Sequence, residues 1–403
     1  MSIKILHTSD WHLGKQLLKT DLHADMDLFF DWLRETLVSE KVDILLMSGD
    51  LFDQANPSQP ALTQYYQFLK SLLPLQCKVI ITGGNHDSTA VLNAPKALLS
   101  VLDVHVIGGA PEELSDAFIT FEKDNQKVVV AAIPYLRDKD IRETIAGESY
   151  DDKIMQIKKG MESYFEQVNQ HYLENHPNVP LIIMGHLFAQ NAETSESERE
   201  IQIGNQAGIE SRIFGTHAAY VALGHIHKPQ QIGNQNTRYS GSPIPLSFSE
   251  REDKKQVILI EVANNELQIE TKEIPSFRKL ITLAGTLEAV QKKLSDYQSQ
   301  TPLTDLIEIQ IEEENESVVL INALEELLSQ ENHADYQIVK GKISFTNSLQ
   351  NTGSLLRNGE EITDFKPIEM FEKRLEQDTA LTNKTELLAA FKTLLTALDE
   401  SEN

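Results

Sequence analysis

The chain has 403 residues, which is long for one domain and ample for two. Hydrophobic residues make up 40% and charged residues 24%, which is typical of a soluble globular protein, and the single cysteine, Cys77, excludes an internal disulfide. The formal net charge of -25 argues against a nucleic-acid partner, since phosphate binding depends on Lys and Arg, but a binding surface is local and net charge is not.

The first residues, "MSIKILHTSD", contain neither a basic region nor a long apolar run, so they do not predict a secretory signal peptide. No apolar run in the sequence approaches the roughly 20 residues that a membrane-spanning helix needs. We therefore expect a cytoplasmic protein.

Short aliphatic and β-branched runs alternate with helical patterns up to about Lys272, which predicts an α/β (α+β) fold. The runs are apolar throughout, which is typical of strands buried on both faces and favours a parallel, doubly wound sheet. Seven such runs are "IKIL", "VDILLMS", "KVIITG", "KVVVAAIP", "VPLIIMG", "AYVALG" and "QVILIEV". In the helical pattern "DMDLFFDWLRETLVSE" the apolar face consists of Met26, Phe29, Phe30, Leu33 and Leu37.

The pattern changes around "EIPSFRKL", and we place a domain boundary near Pro275. The prediction is a first domain over residues 1–274, a smaller α+β domain over 275–365 and C-terminal helices over 366–403. In the smaller domain "LEAVQKKLSDYQSQ" and "VLINALEELLSQ" predict helices, and "LIEIQIEEE" and "YQIVKGKISFT" predict strands. The acidic stretch "AQNAETSESEREIQIG" of the first domain predicts a loop at the protein surface.

Two helical patterns, "PIEMFEKRLEQD" and "NKTELLAAFKTLLTALD", end the sequence. The second carries one apolar stripe, which usually packs on its own domain and alternatively binds a partner helix. The stripe consists of Leu387, Leu388, Phe391, Leu394, Leu395 and Leu398.

Side chains with metal-ligating atoms directly follow five of the strand-like runs. In open α/β sheets the functional crevice lies beyond the carboxyl ends of the strands, so we expect these five ends to converge. Glycines before four of them permit sharp turns and close backbone approach. The residues are Asp10 and His12, then Asp50, then Asn85, His86 and Asp87, then His186, and finally His225 and His227.

Carboxylate, amide and imidazole ligands without a thiolate suit divalent cations such as Mn²⁺, Fe²⁺, Zn²⁺ or Mg²⁺. The set is too large for one tetrahedral site and fits two metals, about 3.5–4 Å apart, that share a carboxylate and act on phosphate oxygens. Any one of the five pieces is weak evidence, because an Asp-x-His or Gly-Asp pair is more often a cap or a turn. Five pieces, each after a strand, favour a metal centre.

The combined pattern "DWH…GD…GNHD…GH…GHIH" resembles the calcineurin-like metallophosphoesterase superfamily, which implies a β-sandwich flanked by helices. Within it, "ILHTSDWHLGK", "SGDLFD", "ALGHIHKPQ" and "RYSGSPIPLSFSE" are similar to the bacterial SbcD family of nuclease subunits. This resemblance covers nearly the whole chain. It implies that residues 275–365 are a capping domain that orients DNA.

The resemblance also implies a role for each site residue. One metal is held by Asp10, His12, Asp50 and His227, and the other by Asp50, Asn85, His186 and His225, so that Asp50 is the bridge. His86 contacts the scissile phosphate and protonates the leaving oxygen, which suits an imidazole because its pKa lies near neutrality. Asp53 and Asp87 are candidates to orient it, although archaeal and eukaryotic relatives have histidine at the position of Asp53.

The implied function is Mn²⁺-dependent hydrolysis of DNA phosphodiesters together with the ATPase SbcC. Such nucleases degrade double-stranded ends, open hairpins and cut single strands, in DNA repair, recombination and replication. The resemblance implies a homodimer of nuclease subunits in a heterotetramer-type complex, with the C-terminal helices bound to the SbcC coiled coil. Candidate DNA contacts beside the site loops are Lys15, Lys19, Arg137 and Lys228.

Two other functions stay open on the sequence alone. A small-molecule phosphodiesterase or phosphatase could use the same ligands, because ligands do not name a substrate, although the smaller domain and the terminal helices argue against it. A scaffold protein with a degenerate site would lack ligands, whereas all seven expected ones are present.

Overall fold

The computed structural model describes residues 2–142, 148–199, 201, 208–233, 236–314, 317–329, 333–345, 368–369, 371–372, 375 and 384–401, with the backbone alone for 396–401. The strands are β1 (Ile3–Thr8), β2 (Gln16–Leu17), β3 (Thr20–Asp21), β4 (Ile44–Ser48), β5 (Lys78–Thr82), β6 (Val104–Ile107), β7 (Phe118–Lys123), β8 (Gln126–Ala132), β9 (Leu181–His186), β10 (Ala218–Gly224), β11 (Gln230–Gln231), β12 (Thr237–Tyr239), β13 (Gln256–Ala263), β14 (Glu266–Glu273), β15 (Leu280–Gly285), β16 (Asp305–Glu313) and β17 (Tyr336–Phe345). The α-helices are α1 (His23–Glu40), α2 (Gln59–Leu72), α3 (Thr89–Asn93), α4 (Lys96–Ser100), α5 (Asp138–Ile141), α6 (Tyr150–Asn175), α7 (Leu287–Ser295), α8 (Val318–Ser329) and α9 (Lys384–Ser401).

The strands of the first predicted domain form two six-stranded mixed sheets. The first has the order β14-β13-β1-β4-β5-β6 and the second the order β11-β12-β10-β9-β8-β7. Side chains of both sheets, including Ile5, Leu46, Ile182 and Tyr220, form one buried cluster, so the sheets pack face to face. The β-sandwich implied by the family resemblance is confirmed, and the single doubly wound sheet favoured by the strand pattern is wrong.

Helices cover the outer face of each sheet. Leu45 and Met47 of β4 point away from the partner sheet and share a cluster with Phe29 and Leu33 of α1. On the other side, Ile183 of β9 clusters with residues of α6. Both faces of the central strands are therefore buried, which explains why "ILLMS" and "LIIMG" are apolar at every position rather than at alternate ones.

Helix α1 shows how local sequence sets the helix boundaries. Its predicted apolar face, from Met26 to Leu37, is buried as expected. The helix ends where Lys41 adopts a left-handed conformation with φ of 55°. The chain then enters β4 directly.

The chain forms two compact units. The first contains the described residues up to Leu283 together with Lys293–Ile309 and Leu327–Gly341. The second contains Ala284–Lys292 and the described residues of Gln310–Glu326 and from Lys342 onward. The predicted division into three domains at residues 274 and 365 stays a prediction.

The elements predicted after residue 275 are confirmed as α7, β16, α8 and β17, and the three strands β15, β16 and β17 form a sheet in that order. The last predicted helix is α9. On its apolar stripe, the ring of Phe391 stacks on Phe371 with centroids 4.1 Å apart, whereas Leu394 is 62% exposed. The side chain of Leu398 and most of "PIEMFEKRLEQD" lie outside the described residues.

Among the helices that the structure describes, none combines the length and the apolarity needed to cross a bilayer.

The sandwich core gives a stability prediction. Leu46 is fully buried between the sheets, so Leu46→Ala should lower the free energy of unfolding by about 2–5 kcal/mol through lost burial and a residual cavity. Val38→Ala, at a position on α1 that is 54% exposed, should change it by less than about 0.5 kcal/mol. Urea unfolding followed by circular dichroism measures both, and equal midpoint shifts would contradict this assignment of the core.

Candidate metal centre

The two sheets bring five strand ends to one rim of the sandwich. Neighbouring strands β1, β4 and β5 of the first sheet are parallel, as are β9 and β10 of the second. Because parallel strands end at the same edge, each sheet delivers its polar strand ends to one side. The side chains predicted from the sequence all lie at this rim, and they come from both sheets.

The backbone at the rim adopts conformations that a non-glycine residue rarely adopts. The φ angles are 55° at Asp10, 47° at His12, 53° at Asp50 and 103° at His225. Such strain persists where the surrounding structure fixes it, and it is typical of functional sites. Here it turns each side chain from the end of its strand into the space between the sheets.

Two glycines are required by close approach. A Cβ on Gly84 would lie 2.1 Å from Oδ1 of Asp50, and a Cβ on Gly224 would lie 1.8 Å from the carbonyl oxygen of Ser48. No side chain fits at either distance. The glycines before Asn85 and His225 therefore allow the strand ends to approach Asp50 and the residues before it.

One group of facing ligand atoms contains Asp10, His12 and His227, all within 4.8 Å of one another. His12 Nε2 lies 3.1 Å from His227 Nε2 and 3.6 Å from Asp50 Oδ2. Ligand atoms about 2.1 Å from a shared cation stand roughly 3 Å apart, so this spacing suits a metal ion.

A second group contains Asp50, His186 and His225. His186 Nε2 lies 3.3 Å from Asp50 Oδ2 and 2.9 Å from Asn85 Oδ1. Asp50 therefore borders both groups, as a bridging carboxylate must. All seven side chains expected as ligands lie together, and their assignment to two metal ions stays a prediction.

The outer nitrogens of the histidines are engaged by other groups. Nδ1 of His186 is hydrogen-bonded to the carbonyl of Ser48 at 3.0 Å, and Nδ1 of His12 lies 3.4 Å from Oδ1 of Asp53. Partners of this kind fix the ring orientation and leave Nε2 free to bind a metal.

His86 lies beside the ligand groups, with Nε2 4.0 Å from Asp50 Oδ2. Its Nδ1 donates to the backbone carbonyl of Asp53 at 2.7 Å, so a carbonyl rather than either candidate carboxylate orients the ring. The carboxylate of Asp87 instead accepts the backbone N–H groups of Leu51, Phe52 and Gly84. Asp87 thus ties two site loops together, and Asp53 serves His12 through its carboxylate.

Burial dominates the electrostatics of the centre. It raises the pKa of Asp10 to about 7 and lowers the pKa of His225 well below its usual value. At His186 burial also opposes charge, but the Asp50 carboxylate outweighs it and raises the pKa to about 9. Burial likewise disfavours the charged form of Asp50, yet His186 and His12 hold the pKa of this carboxyl well below its usual range.

The residues present fit divalent cations. Nε2 of His225 is buried without a hydrogen-bond partner, and it points at the space bordered by Asp50 and His186. A buried polar atom without a partner is costly, and a bound cation would satisfy it. The donor set of carboxylates, imidazoles and one amide is the set that hard and borderline divalent metals prefer.

The candidate DNA contacts have varied surroundings. Lys15 pairs with Asp53 at 3.1 Å, and Lys228 pairs with Glu193. Arg137 donates to Thr89 Oγ1 at 2.8 Å and to the carbonyl of Asp87 at 2.9 Å, so it braces the loop that carries His86. Lys19 is exposed.

Sequence reasoning missed a group of residues around His227. Glu250, fully buried at the end of "SGSPIPLSFSE", lies 3.6 Å from Nδ1 of His227. Ser197 and Glu198, in the acidic stretch predicted as a surface loop, also contact His227. That prediction is wrong for these residues, which are half-buried. The only available signal was the family resemblance of "SGSPIPLSFSE", which named no residue.

The family model of calcineurin-like phosphoesterases matches residues 3–229, which is more than half of the chain. The chain belongs to this family. Calcineurin-like phosphoesterases use divalent metal ions, which agrees with the donor set at the rim.

Curated phosphoesterases named as the SbcD subunit of the nuclease SbcCD are similar over most of their length. The protein of Escherichia coli K12 is 34% identical over 309 residues, which cover 74% of this chain and 76% of that protein. The protein of Rhodobacter capsulatus is 33% identical, covering 65% and 67%. The protein of Bacillus subtilis is 29% identical, covering 66% and 67%. Within the phosphoesterases, the chain therefore belongs to the SbcD family.

Among solved structures, the protein TT1561 of Thermus thermophilus matches with a TM-score of 0.41 and 15% identity, covering 68% of this chain and 100% of that one.

The pKa values at the rim predict that metal binding is coupled to proton release. A metal can bind His186 through Nε2 only after the imidazolium, whose pKa is about 9, has lost a proton. Divalent-metal affinity should therefore rise as the pH increases from about 6 toward 9, because protons compete less. Titration calorimetry with Mn²⁺ in buffers of different ionisation enthalpy should detect the released protons. An affinity independent of pH and a heat independent of buffer would contradict this.

Proposed function

We propose that this chain is the nuclease subunit of an SbcCD-type complex and hydrolyses DNA phosphodiester bonds with two bound divalent metal ions, which we take to be Mn²⁺. The observation that carries the proposal is the pair of ligand groups that share Asp50. A pair of metals with a shared carboxylate is suited to phosphodiester hydrolysis. The named relatives, which this chain covers over two thirds or more of their length, support DNA as the substrate.

Each metal has a proposed set of ligands in this chain. One ion is held by Asp10, His12, Asp50 and His227, and the other by Asp50, Asn85, His186 and His225. When bound, the two ions supply Lewis acidity toward the phosphate oxygens and lower the pKa of a coordinated water. The protein contributes the fixed ring orientations and the exclusion of bulk water by the buried walls of the rim.

His86 is proposed to donate the proton to the leaving oxygen. Its hydrogen bond from Nδ1 to the carbonyl of Asp53 leaves Nε2 facing the centre. Burial lowers the pKa of His86 to about 4, so the ring is neutral before substrate binds and does not repel the cations. A phosphate anion beside it would favour the charged form, and the imidazolium could then act as the acid.

The wider activity follows the SbcD family. We propose ATP-dependent exonuclease action on double-stranded ends and endonuclease action on hairpins and single strands, together with SbcC. Residues 275–365 are proposed as the capping domain that orients DNA, and Lys15, Lys19, Arg137 and Lys228 as contacts. The net charge of -25 is compatible with this because DNA binding is local and two cations offset the carboxylates of the centre.

Two partners are proposed besides DNA. The C-terminal helix α9 binds the SbcC coiled coil, which is supported by the exposed position of Leu394 on its apolar stripe. A second copy of the nuclease subunit is the other partner. An exposed apolar patch of Leu73, Leu98, Val101 and Leu102, beside β6, is suited to it.

Loss of one ligand should stop catalysis. His225→Ala should reduce Mn²⁺-dependent cleavage of a DNA hairpin by on the order of 10³-fold, because the metals supply several kcal/mol of transition-state stabilisation. His23→Ala, which changes a surface histidine paired with Asp27, should leave cleavage unchanged. The assay uses purified protein with circular dichroism to check folding.

Undiminished cleavage by a clean preparation of the folded His225→Ala protein would count decisively against the two-metal nuclease. Turnover of a cyclic nucleotide in preference to the hairpin would favour a small-molecule phosphodiesterase instead.

The partner assignment of α9 is tested separately. Leu394→Asp places a charge on the exposed part of the apolar stripe and should weaken co-purification with SbcC at least about tenfold while leaving Mn²⁺-dependent cleavage by the subunit alone unchanged. Thr393→Asp, at the adjacent exposed position, is the matched control and should bind SbcC normally. If Leu394→Asp and a chain truncated after Phe365 both retained SbcC, the assignment would be wrong.

A further inference from the structure

The side chain of Glu250 is fully buried beside the metal centre. It lies in a turn after β12, and one carboxylate oxygen, Oε2, accepts a hydrogen bond from Lys255 Nζ at 2.6 Å and one from Ser242 Oγ at 3.2 Å. The other oxygen, Oε1, accepts from the hydroxyl groups of Ser197 and Ser195. A carboxylate in the interior needs such partners, and here they extend toward a proposed metal ligand.

That ligand is His227. Its Nδ1 is hydrogen-bonded to Ser197 Oγ and lies 3.6 Å from Oε1 of Glu250. Ser197 therefore stands between the carboxylate and the ring. With an acceptor system on this side, Nδ1 carries the proton, and the lone pair of the ring is on Nε2, which faces His12 at 3.1 Å.

The backbone of His227 is held by the same two segments. Its N–H donates to Glu198 Oε1 at 2.8 Å, and its carbonyl accepts from Lys255 Nζ at 3.0 Å and from the N–H of Ser242 at 3.1 Å. Both the main chain and the outer ring nitrogen of His227 are thus engaged, which leaves Nε2 as the inward-facing polar atom.

We propose that Glu250, acting through Ser197, is a positioning residue that fixes the tautomer and orientation of His227 and thereby sets the affinity of one of the two metal sites. The inference rests on the proposed function, since it assumes that His227 is a metal ligand. Carboxylates that orient metal-binding histidines raise the basicity of the ligand, and their loss weakens metal binding without removing any ligand.

The geometry distinguishes this role from that of a purely structural ion pair. The pair of Glu250 with Lys255 uses Oε2, whereas Oε1 is directed at the residues beside the His227 ring. A structural pair would be complete without the second oxygen. The segment containing Ser195, Ser197 and Glu198 follows β9, and that of Glu250 follows β12, so two separate parts of the chain close on one imidazole.

The test measures Mn²⁺ binding to the full-length chain by titration with detection of free Mn²⁺ by electron paramagnetic resonance. The wild type should bind two ions. Ser197→Ala should weaken one of them by roughly 10–100-fold and leave the other unchanged. Ser197→Thr keeps the hydroxyl and should restore the affinity to near the wild-type value.

Ser249→Ala is the matched control, because Ser249 Oγ bonds to the N–H of Glu196 on the same segment but not to His227. It should bind both ions normally. Glu250→Gln should reproduce the defect of Ser197→Ala, but the Ser197 variants decide the question whether or not Glu250→Gln folds.

Normal binding of both ions by Ser197→Ala would overturn the inference, as would an equal loss at both sites or a failure of Ser197→Thr to restore binding. These outcomes are distinguishable from failure of the proposed function. A wild type that bound two ions but did not cut DNA would refute only the nuclease proposal, whereas a wild type that bound no Mn²⁺ would refute both.

Discussion

The buried carboxylate of Asp50 is the constraint on which the rest of the site depends. It lies where two sheets meet, almost without exposure, and a charge in such a place must be balanced by close partners. His12 and His186 approach it from opposite sheets, and Gly84 leaves room for its oxygen. The strained backbone at Asp50 itself holds the carboxylate between the two ligand groups. The fold, in this view, is a device that carries five strand ends to one carboxylate.

Much of the site could be predicted from the sequence because the ligands directly follow apolar strand-like runs, as "GNHD" follows "KVIIT". The sandwich could not be predicted from those runs alone. Leu45 and Leu46 are both buried, one beneath a helix and the other against a sheet, and a doubly wound sheet would give the same apolar pattern. The contacts of Ser197 and Glu198 were also beyond reach, since a polar, acidic composition gives no sign of a long-range partner such as His227. The orienting group of His86 is a backbone carbonyl, which no side-chain pattern reveals.

The electrostatics explain why this centre suits cations despite its burial. Asp10 and His225 are driven toward their neutral forms, and the charge is concentrated on Asp50 with its histidine neighbours. Divalent ions would replace those protons and satisfy the unpartnered nitrogen of His225. Outer groups then matter as much as ligands. Asp53, Ser48 and the Ser197–Glu250 pair each face the outer nitrogen of one ligand histidine, so ring orientation is set before any metal arrives.

The central claim is that two metal ions share Asp50. Anomalous diffraction from crystals of the full-length protein grown with Mn²⁺ tests it most directly. We predict two strong peaks about 3.5–4 Å apart, one on each side of the Asp50 carboxylate, with His227 at one and His225 at the other. A single peak in fully active protein, or two peaks without Asp50 between them, would contradict it.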